Sequence, residues 1–136
     1  MYNTILVPVD LADLDKGKAT LDIAKKLGNE GCKIRLLNVV EDIPSYVAAE
    51  LPAGLVEKSI ENAKQTLDDV AAASTGKVEV DVRAGHAKTV ILTAAEECGA
   101  DLIIIGSHRP GLQDYLLGST AGRVVRHSTC SVLVVR

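Results

Sequence analysis

The sequence predicts a doubly wound α/β domain built on one parallel sheet. Five short apolar runs rich in β-branched residues alternate with four stretches of helical periodicity. The chain has 136 residues, enough for one domain with a substantial core. Aromatic residues make up only 2%, so Val, Ile, Leu and Ala must fill the core, as they do in buried parallel sheets. We therefore expect a single domain over residues 1–136.

The first half of the chain predicts two strands and two helices. The order is a strand at 4–9, a helix at about 15–27, a strand at 34–40 and a helix at about 54–73. In the first helix, Ala19, Ile23 and Leu27 recur at i, i+4 and i+8, which predicts an apolar stripe. Residues 41–52 are less regular and contain two prolines, so we expect a loop there.

The second half predicts three strands and two helices. The order is a strand at 78–82, a helix at 87–98, a strand at 102–105, a helix at 119–127 and a strand at 132–135. In the first of these strands, valines alternate with Glu79 and Asp81, which is typical of an edge strand with one wet face. The run 102–105, by contrast, is wholly apolar and predicts a buried strand, and the mostly apolar run 34–40 predicts a central one.

The alternation of strands and helices favours a five-stranded parallel sheet of order 3-2-1-4-5, with two helices on each face and right-handed crossovers. In that order the first and fourth strands are neighbours at the switch point. They end in Pro8-Val9-Asp10 and Gly106-Ser107. Ligands of open α/β sheets bind outside the carboxyl ends of the strands at this point, so we expect a site there.

Residues 101–120 have the layout of a phosphate-binding loop. A buried strand ends in Gly106, a polar loop follows, and Gly118-Ser119-Thr120 begins a helix. Glycine lets the backbone approach an anion, and the first N–H groups of the helix point at it. On spacing alone, ordinary turn chemistry explains the glycines equally well. The P-loop, dinucleotide and nucleophile-elbow motifs are absent from the sequence.

Composition excludes several classes of partner. The net charge of −3 and the few aromatic residues argue against nucleic-acid binding. No apolar run approaches the roughly 20 residues of a membrane helix, and the amino terminus lacks the pattern of a signal peptide. Three widely spaced cysteines favour a reducing compartment, so we expect a cytoplasmic protein. The histidines and cysteines show no metal-ligand spacing.

Three separated segments resemble the universal stress protein family. They are ILVPVD near the start, LLNVVED in the second strand, and ADLIIIGSHRPGLQDYLLGSTAGRVVRHSTCSVLVVR at the end. The resemblance covers nearly the whole chain and is weakest between residues 43 and 52. It implies the fold predicted above and, for the family's nucleotide-binding branch, a Gly-x2-Gly-x9-Gly-[Ser/Thr] loop after the fourth strand.

The resemblance also implies a nucleotide site. Asp10 would lie by the ribose and adenine, and Val39 would meet the adenine edge through its backbone. Gly106, Gly118 and Ser119 would hold the phosphates. The full set of expected nucleotide-binding residues is Pro8, Val9, Asp10, Val39, Gly106, Ser107, His108, Arg109, Gly118, Ser119 and Thr120. From the residues alone, Asp10 could instead be a Mg²⁺ ligand, a catalytic base or a helix cap, and His108 an exposed loop residue.

The chain departs from the family motif in one place. Arg109 stands where the second glycine is expected, and Gly106 and Gly118 are one residue closer together than the motif requires. Gly111 would supply the missing flexibility, and Arg109 could reach a phosphate as a fixed cation. This shortened loop resembles that of a subset of the family that binds adenine nucleotide.

The resemblance implies a dimeric stress-response module that binds ATP, or AMP or ADP, with or without Mg²⁺. The last strand is apolar on both faces at a predicted sheet edge, an aggregation hazard unless a second chain pairs with it. We expect a homodimer through Val132-Leu133-Val134-Val135, although a covering loop or helix is the alternative. No catalytic residue is predicted, so hydrolysis should be slow. The other hypotheses are a slow ATPase and an interaction protein of this fold without nucleotide.

Overall fold

Nine elements alternate between strand and helix in the computed structural model, which describes residues 1–41, 49–50, 52–107 and 117–136. In chain order they are β1 (Tyr2–Pro8), α1 (Leu14–Leu27), β2 (Gly28–Glu41), α2 (Leu55–Ala72), β3 (Val78–Gly85), α3 (Ala87–Cys98), β4 (Leu102–Gly106), α4 (Ser119–His127) and β5 (Ser131–Val135). Most of the loop expected at 41–52, and His108, Arg109 and Gly111, lie outside the described residues.

The strands form one sheet of order β3-β2-β1-β4-β5, and every pair is parallel. The predicted fold class and strand order are therefore confirmed. At the centre of the sheet, β1 pairs with β4 only at Ile5↔Leu102 and Leu6↔Ile103. Its pairing with β2 continues two residues further, to Pro8↔Leu37. The carboxyl ends of β1 and β4 therefore diverge and leave a space between them.

The core lies in two apolar layers, one on each face of the sheet. Alternate residues of β1 divide between the layers, because successive side chains of a strand point to opposite faces. Ile5 and Val7 pack with residues of α1 and α2, while Leu6 packs with residues of α3 and α4. The predicted arrangement of two helices on each face is confirmed.

Two local predictions were wrong. Strand β2 begins at Gly28 and not at residue 34, since Gly28 pairs with Tyr2 of β1. In the predicted stripe of α1, Ile23 and Leu27 pack against the core as expected. Ala19 is exposed instead, and the buried residues of α1 are Gly17, Thr20, Leu21 and Ala24. Helix α1 has this orientation because it packs closely on the end of β1 at Gly17, where an added Cβ would lie 2.7 Å from Val9 Cγ1. The buried Thr20 hydroxyl donates to the Gly17 carbonyl at 2.9 Å.

The two edges of the sheet differ in character. On β3, the predicted wet face carries ion pairs from Glu79 and Asp81 to Arg35 of β2, at 2.9 and 3.7 Å, and from Arg83 to Glu97 of α3 at 2.7 Å. On β5, residues 132–135 are partly buried and pack on both core layers. Within the described ranges, no strand pairs with the outer edge of β5.

None of the helices found in the described part of the chain is long and apolar enough to cross a membrane.

Candidate functional site

A cavity of about 750 Å³ lies where the carboxyl ends of β1 and β4 diverge. Eight of the eleven residues predicted from the sequence line it: Pro8, Val9, Asp10, Val39, Gly106, Ser107, Ser119 and Thr120. Gly118 directly precedes this lining as the residue before the first turn of α4. The remaining two, His108 and Arg109, fall outside the described ranges and stay predictions.

The end of β1 is held against β2 by two hydrogen bonds. The Val9 amide donates to the Leu37 carbonyl at 2.7 Å. The Asn38 side-chain amide donates to the Val9 carbonyl at 2.9 Å, and Asn38 is 8% exposed. Because Asn38 fixes the turn from inside the protein, the cavity wall at Pro8 and Val9 is preformed.

Asp10 organises the loop that leads into α1. Its Oδ1 accepts from the Ala12 amide at 2.9 Å, and its carbonyl accepts from the Asp13 amide at 3.0 Å. The N-cap of α1 is Asp13, whose Oδ1 accepts from the Lys16 amide at 3.2 Å, so Asp10 is not the cap. Asp10 lines the cavity, and within the described ranges its second carboxylate oxygen, Oδ2, has no hydrogen bond.

The backbone of Val39 faces the cavity. The Leu37 carbonyl points toward β1, where it accepts from Val9. Since the backbone groups of alternate residues face the same side of a strand, the N–H and C=O of Val39 point the same way. Strand β1 has ended at that level, with Pro8↔Leu37 as its last pair. A hydrogen-bond donor and an acceptor are thus presented side by side to whatever enters the cavity.

The opposite wall is formed by Gly106, Ser107 and the first turn of α4. Gly118 offers no side-chain cap, so the first N–H groups of α4 are available to an anion. The Ser107 amide, however, donates to the Val135 carbonyl of β5 at 2.8 Å. The hydroxyl of Ser107, and not its backbone N–H, is therefore the group that it can offer to a ligand.

The sequence interpretation missed several lining residues, among them Asn38, Lys16 and Glu41. Asn38 carried a signal, because it is the only polar residue in the apolar run Leu36–Val40, LLNVV. Lys16 carried no comparable signal, because Lys18 lies two residues away on the same helix and is not distinguished from it by the sequence. The Glu41 carboxylate ties β2 to α3, accepting from the Ala87 amide at 3.3 Å and lying 3.8 Å from His86 Nδ1.

A second, shallower cavity of about 380 Å³ adjoins the first. It shares Glu41, Ala87 and Thr120 with the first cavity, and His86, Lys88, Thr89 and Arg123 complete its lining. Its basic side chains are exposed, and His86 faces a carboxylate and not a group of metal ligands.

Metal ligands do not cluster in the described residues, and the thiol of Cys32 is not activated. They contain no group of three or more His, Cys, Asp or Glu side chains that could hold a metal ion. All three cysteines are unpaired, and burial raises the pKa of the Cys32 thiol, which disfavours the thiolate. The described lining of the cavity offers hydrogen-bonding groups, carboxylates and one lysine.

The model of the universal stress protein family matches residues 1–136. The chain belongs to the universal stress protein family. The resemblance drawn from the three sequence segments is confirmed, and with it a place in the stress response. Universal stress protein G of Salmonella typhimurium is 32% identical over 142 residues, covering all of both chains. Universal stress protein A homolog 2 of Coxiella burnetii is 38% identical over 143 residues, covering 99% of this chain and 95% of that protein.

Solved structures of the family share the fold. The structure of hypothetical protein MJ0577 superposes with a TM-score of 0.82 at 29% identity and covers 99% of this chain and 96% of that one. Universal stress protein UspA from Lactobacillus plantarum gives a TM-score of 0.72 at 27% identity, with 99% and 98% covered. A universal stress protein solved in complex with cAMP has the same fold at 23% identity and a TM-score of 0.66, with 99% and 97% covered.

Proposed function

We propose that this universal stress protein binds adenine nucleotide, ATP foremost, in the cavity between the carboxyl ends of β1 and β4. The observation that carries the proposal is that three suitable groups lie together at one cavity. The Asp10 carboxylate, the Val39 backbone pair and the uncapped start of α4 come from three distant parts of the chain and line one cavity of about 750 Å³. That volume lies within the usual range for small-molecule sites.

The Val39 backbone suits adenine. Adenine presents an acceptor at N1 beside a donor at its 6-amino group, which matches an N–H and a C=O from one strand residue. Guanine presents the opposite pair, a donor at N1 and an acceptor at O6, so each of its groups would face a like group. A mismatched buried polar group costs about 1–3 kcal/mol, which supports selection of adenine over guanine.

The remaining groups suit ribose and phosphate. Asp10 Oδ2 is placed to accept from a ribose hydroxyl, and the first turn of α4 with Gly118 and Ser119 is placed to receive phosphate. We propose that Mg²⁺ arrives bound to the phosphates, since a phosphate-bound ion needs only one or two carboxylates from the protein. His108 and Arg109 belong to the same proposal as phosphate contacts.

Titration calorimetry with ATP, ADP, AMP and GTP, with and without Mg²⁺, tests the nucleotide proposal. We expect ATP to bind more tightly than millimolar and GTP about tenfold more weakly or worse. ATP affinity weaker than millimolar would leave the second candidate, an interaction protein of this fold. The apolar strand β5 at the sheet edge favours that candidate independently of any nucleotide.

We propose a binding module and not a fast enzyme, with slow ATP hydrolysis as the alternative. Steady phosphate release that disappears in Asp10→Ala while ATP affinity is retained would establish the hydrolase. If protein saturated with ATP releases phosphate no faster than ATP does in buffer alone, the result supports the binding module.

We propose that two copies pair through the outer edge of β5. The Val135 carbonyl faces β4, where it accepts from Ser107, so by alternation the backbone of Val134 faces outward. Val134→Pro would therefore remove a donor from the free edge and leave the β4–β5 ladder intact. We expect a dimer by sedimentation for the native chain and a folded monomer for Val134→Pro. A native monomer at micromolar concentration would contradict pairing.

We place the protein in the cytoplasm, where its three unpaired thiols would remain reduced. Fractionation of cells that express the native chain tests this placement, and recovery outside the cytoplasmic fraction would contradict it.

A further inference from the structure

We propose that Lys16 recognises the phosphate charge in this site, beside the phosphate contacts proposed above, and that Gly106 is a glycine because the lysine stem lies across it. The inference rests on the proposed nucleotide binding and adds a residue that the sequence interpretation did not include. It also reassigns Gly106, which the sequence suggested as a point where backbone approaches an anion.

The first step is the contact between the two residues. An added Cβ on Gly106 would lie 2.9 Å from Lys16 Cγ and 3.3 Å from Lys16 Cδ. The methylene stem of the lysine therefore occupies the space that any other side chain at position 106 would need. Gly106 is not among the described glycines with positive φ, so space and not backbone conformation explains the glycine.

The second step is the anchoring of the stem. Lys16 lies in the first turn of α1, where its amide donates to the Asp13 cap at 3.2 Å. The next residue, Gly17, packs directly on Val9 at the end of β1. Because the base of the side chain is fixed by α1 and its methylenes lie on Gly106, the lysine spans from α1 to the carboxyl end of β4.

The third step is the charge. Of the described residues that line the cavity, Lys16 is the only cation, beside the carboxylates Asp10, Asp13 and Glu41. Within the described ranges, the Lys16 ammonium forms no ion pair. Carboxylates repel a polyphosphate, so a cation on the Gly106 wall favours phosphate over a neutral nucleoside. An ammonium held by its stem is also a suitable point charge for phosphate.

The test compares adenosine with ATP in three proteins: the native chain, Lys16→Gln and Lys18→Gln. Lys18 is an exposed residue of the same helix, so its variant has the same net charge as Lys16→Gln and serves as the matched control. We expect Lys16→Gln to lose about tenfold or more in ATP affinity, the range of a hydrogen bond to a charged group. Adenosine affinity should stay within about twofold, and Lys18→Gln should match the native chain.

A second comparison tests the role of Gly106. Gly106→Ala should displace the stem and lower ATP affinity by a similar factor in the native background. In a Lys16→Ala background the same substitution should cost less, because the stem no longer fills that space. Equal costs in the two backgrounds would show that the glycine does not serve the lysine, and would overturn that half of the inference.

The outcomes separate the inference from the proposed function. If the native chain prefers ATP to adenosine and Lys16→Gln retains that preference, the role of Lys16 is overturned and nucleotide binding stands. Equal losses for adenosine and ATP in Lys16→Gln would show a merely structural lysine and also overturn the role. If the native chain binds neither compound, both proposals fall.

Discussion

The two ends of the sheet use the same kinds of polar groups in opposite ways. At the amino end, the Asp101 carboxylate accepts from the amides of Asn3 and Thr4 at 2.9 and 3.0 Å. The Asp101 amide donates to the Thr4 carbonyl at 2.9 Å. At the carboxyl end, Asp10 Oδ2 and the Lys16 ammonium have no such partners within the described ranges. Whether the surrounding chain pairs a charged group decides whether that group serves folding or ligand binding.

The pKa of Asp101 reflects its pairing. Burial alone would raise this pKa, but the amides of Asn3 and Thr4 donate to the carboxylate and hold the pKa below its usual value. The carboxylate therefore stabilises the junction of β1 and β4 at neutral pH. The following predictions test the contrast between the two ends, from the largest expected change in the free energy of unfolding to the smallest.

The largest effect is expected for Asp101→Ala. Two amides lose a charged acceptor, and for a partly exposed group this should lower the free energy of unfolding by about 2 kcal/mol. Urea denaturation at pH 7 measures the change. ATP affinity should be unaffected at temperatures where the variant is folded, because Asp101 lies at the opposite end of the sheet. A selective loss of ATP affinity would contradict the division between the ends.

Acid should remove the contribution of Asp101. Its folded-state pKa is lower than the unfolded value of about 3.9, so its stabilisation is fully present above about pH 5 and is lost as the pH falls through the folded-state pKa. We expect the stability difference between the native chain and Asp101→Asn to shrink between about pH 5 and pH 2. A difference that is constant over this range would show that the carboxylate charge is not the cause.

At the carboxyl end, Asp13→Ala should cost about 1 kcal/mol, because α1 loses its side-chain N-cap. Asp15→Ala is the matched control, since Asp15 lies in the first turn of the same helix without being the cap. Thermal or urea unfolding of both variants measures the difference. Equal costs would mean that the helix dipole and not the cap bond accounts for the effect.

The smallest change in stability is expected for Asp10→Asn, where the substitution keeps an oxygen that can accept from Ala12. Unfolding should change by less than about 0.5 kcal/mol, while ATP affinity should fall about tenfold through loss of a charged acceptor for ribose. Calorimetric titration and urea unfolding of the same preparation give both values. A large loss of stability with unchanged affinity would place Asp10 among the structural groups.

Most of the fold could be predicted because each element has its own periodicity. The apolar run of β4 indicated a buried strand correctly, and the alternation of β3 indicated an edge strand correctly. The first six residues of β2 could not be predicted, since residues 28–33 are mixed in polarity and pair with β1 only at Gly28 and Lys33, across a register shift. The stripe on α1 was right at Ile23 and Leu27 but wrong at Ala19, because Gly17, and not a large apolar side chain, makes the closest contact.

In the candidate site, too, some residues could be predicted from local sequence and others could not. Residues at strand ends, such as Asp10 and Gly106, could be predicted because parallel strands end at one edge of the sheet. Lys16 could not, because nothing in its local pattern distinguishes it from the solvent-exposed Lys18. Ser107 was among the predicted nucleotide-binding residues, but the sequence did not show that its amide is bound to the Val135 carbonyl of β5.

By itself, the sequence determined the order of the elements, the strand order of the sheet, the position of its switch point and the resemblance to one family. Those properties follow from local periodicity and from residues near one another in the chain. Only the tertiary structure decided which polar groups have partners. Asn3 meets Asp101 across 98 residues, and Lys16 of α1 lies on Gly106 of β4. Such pairings depend on how distant segments pack, because a hydrogen bond or an ion pair requires proximity in space and not in sequence.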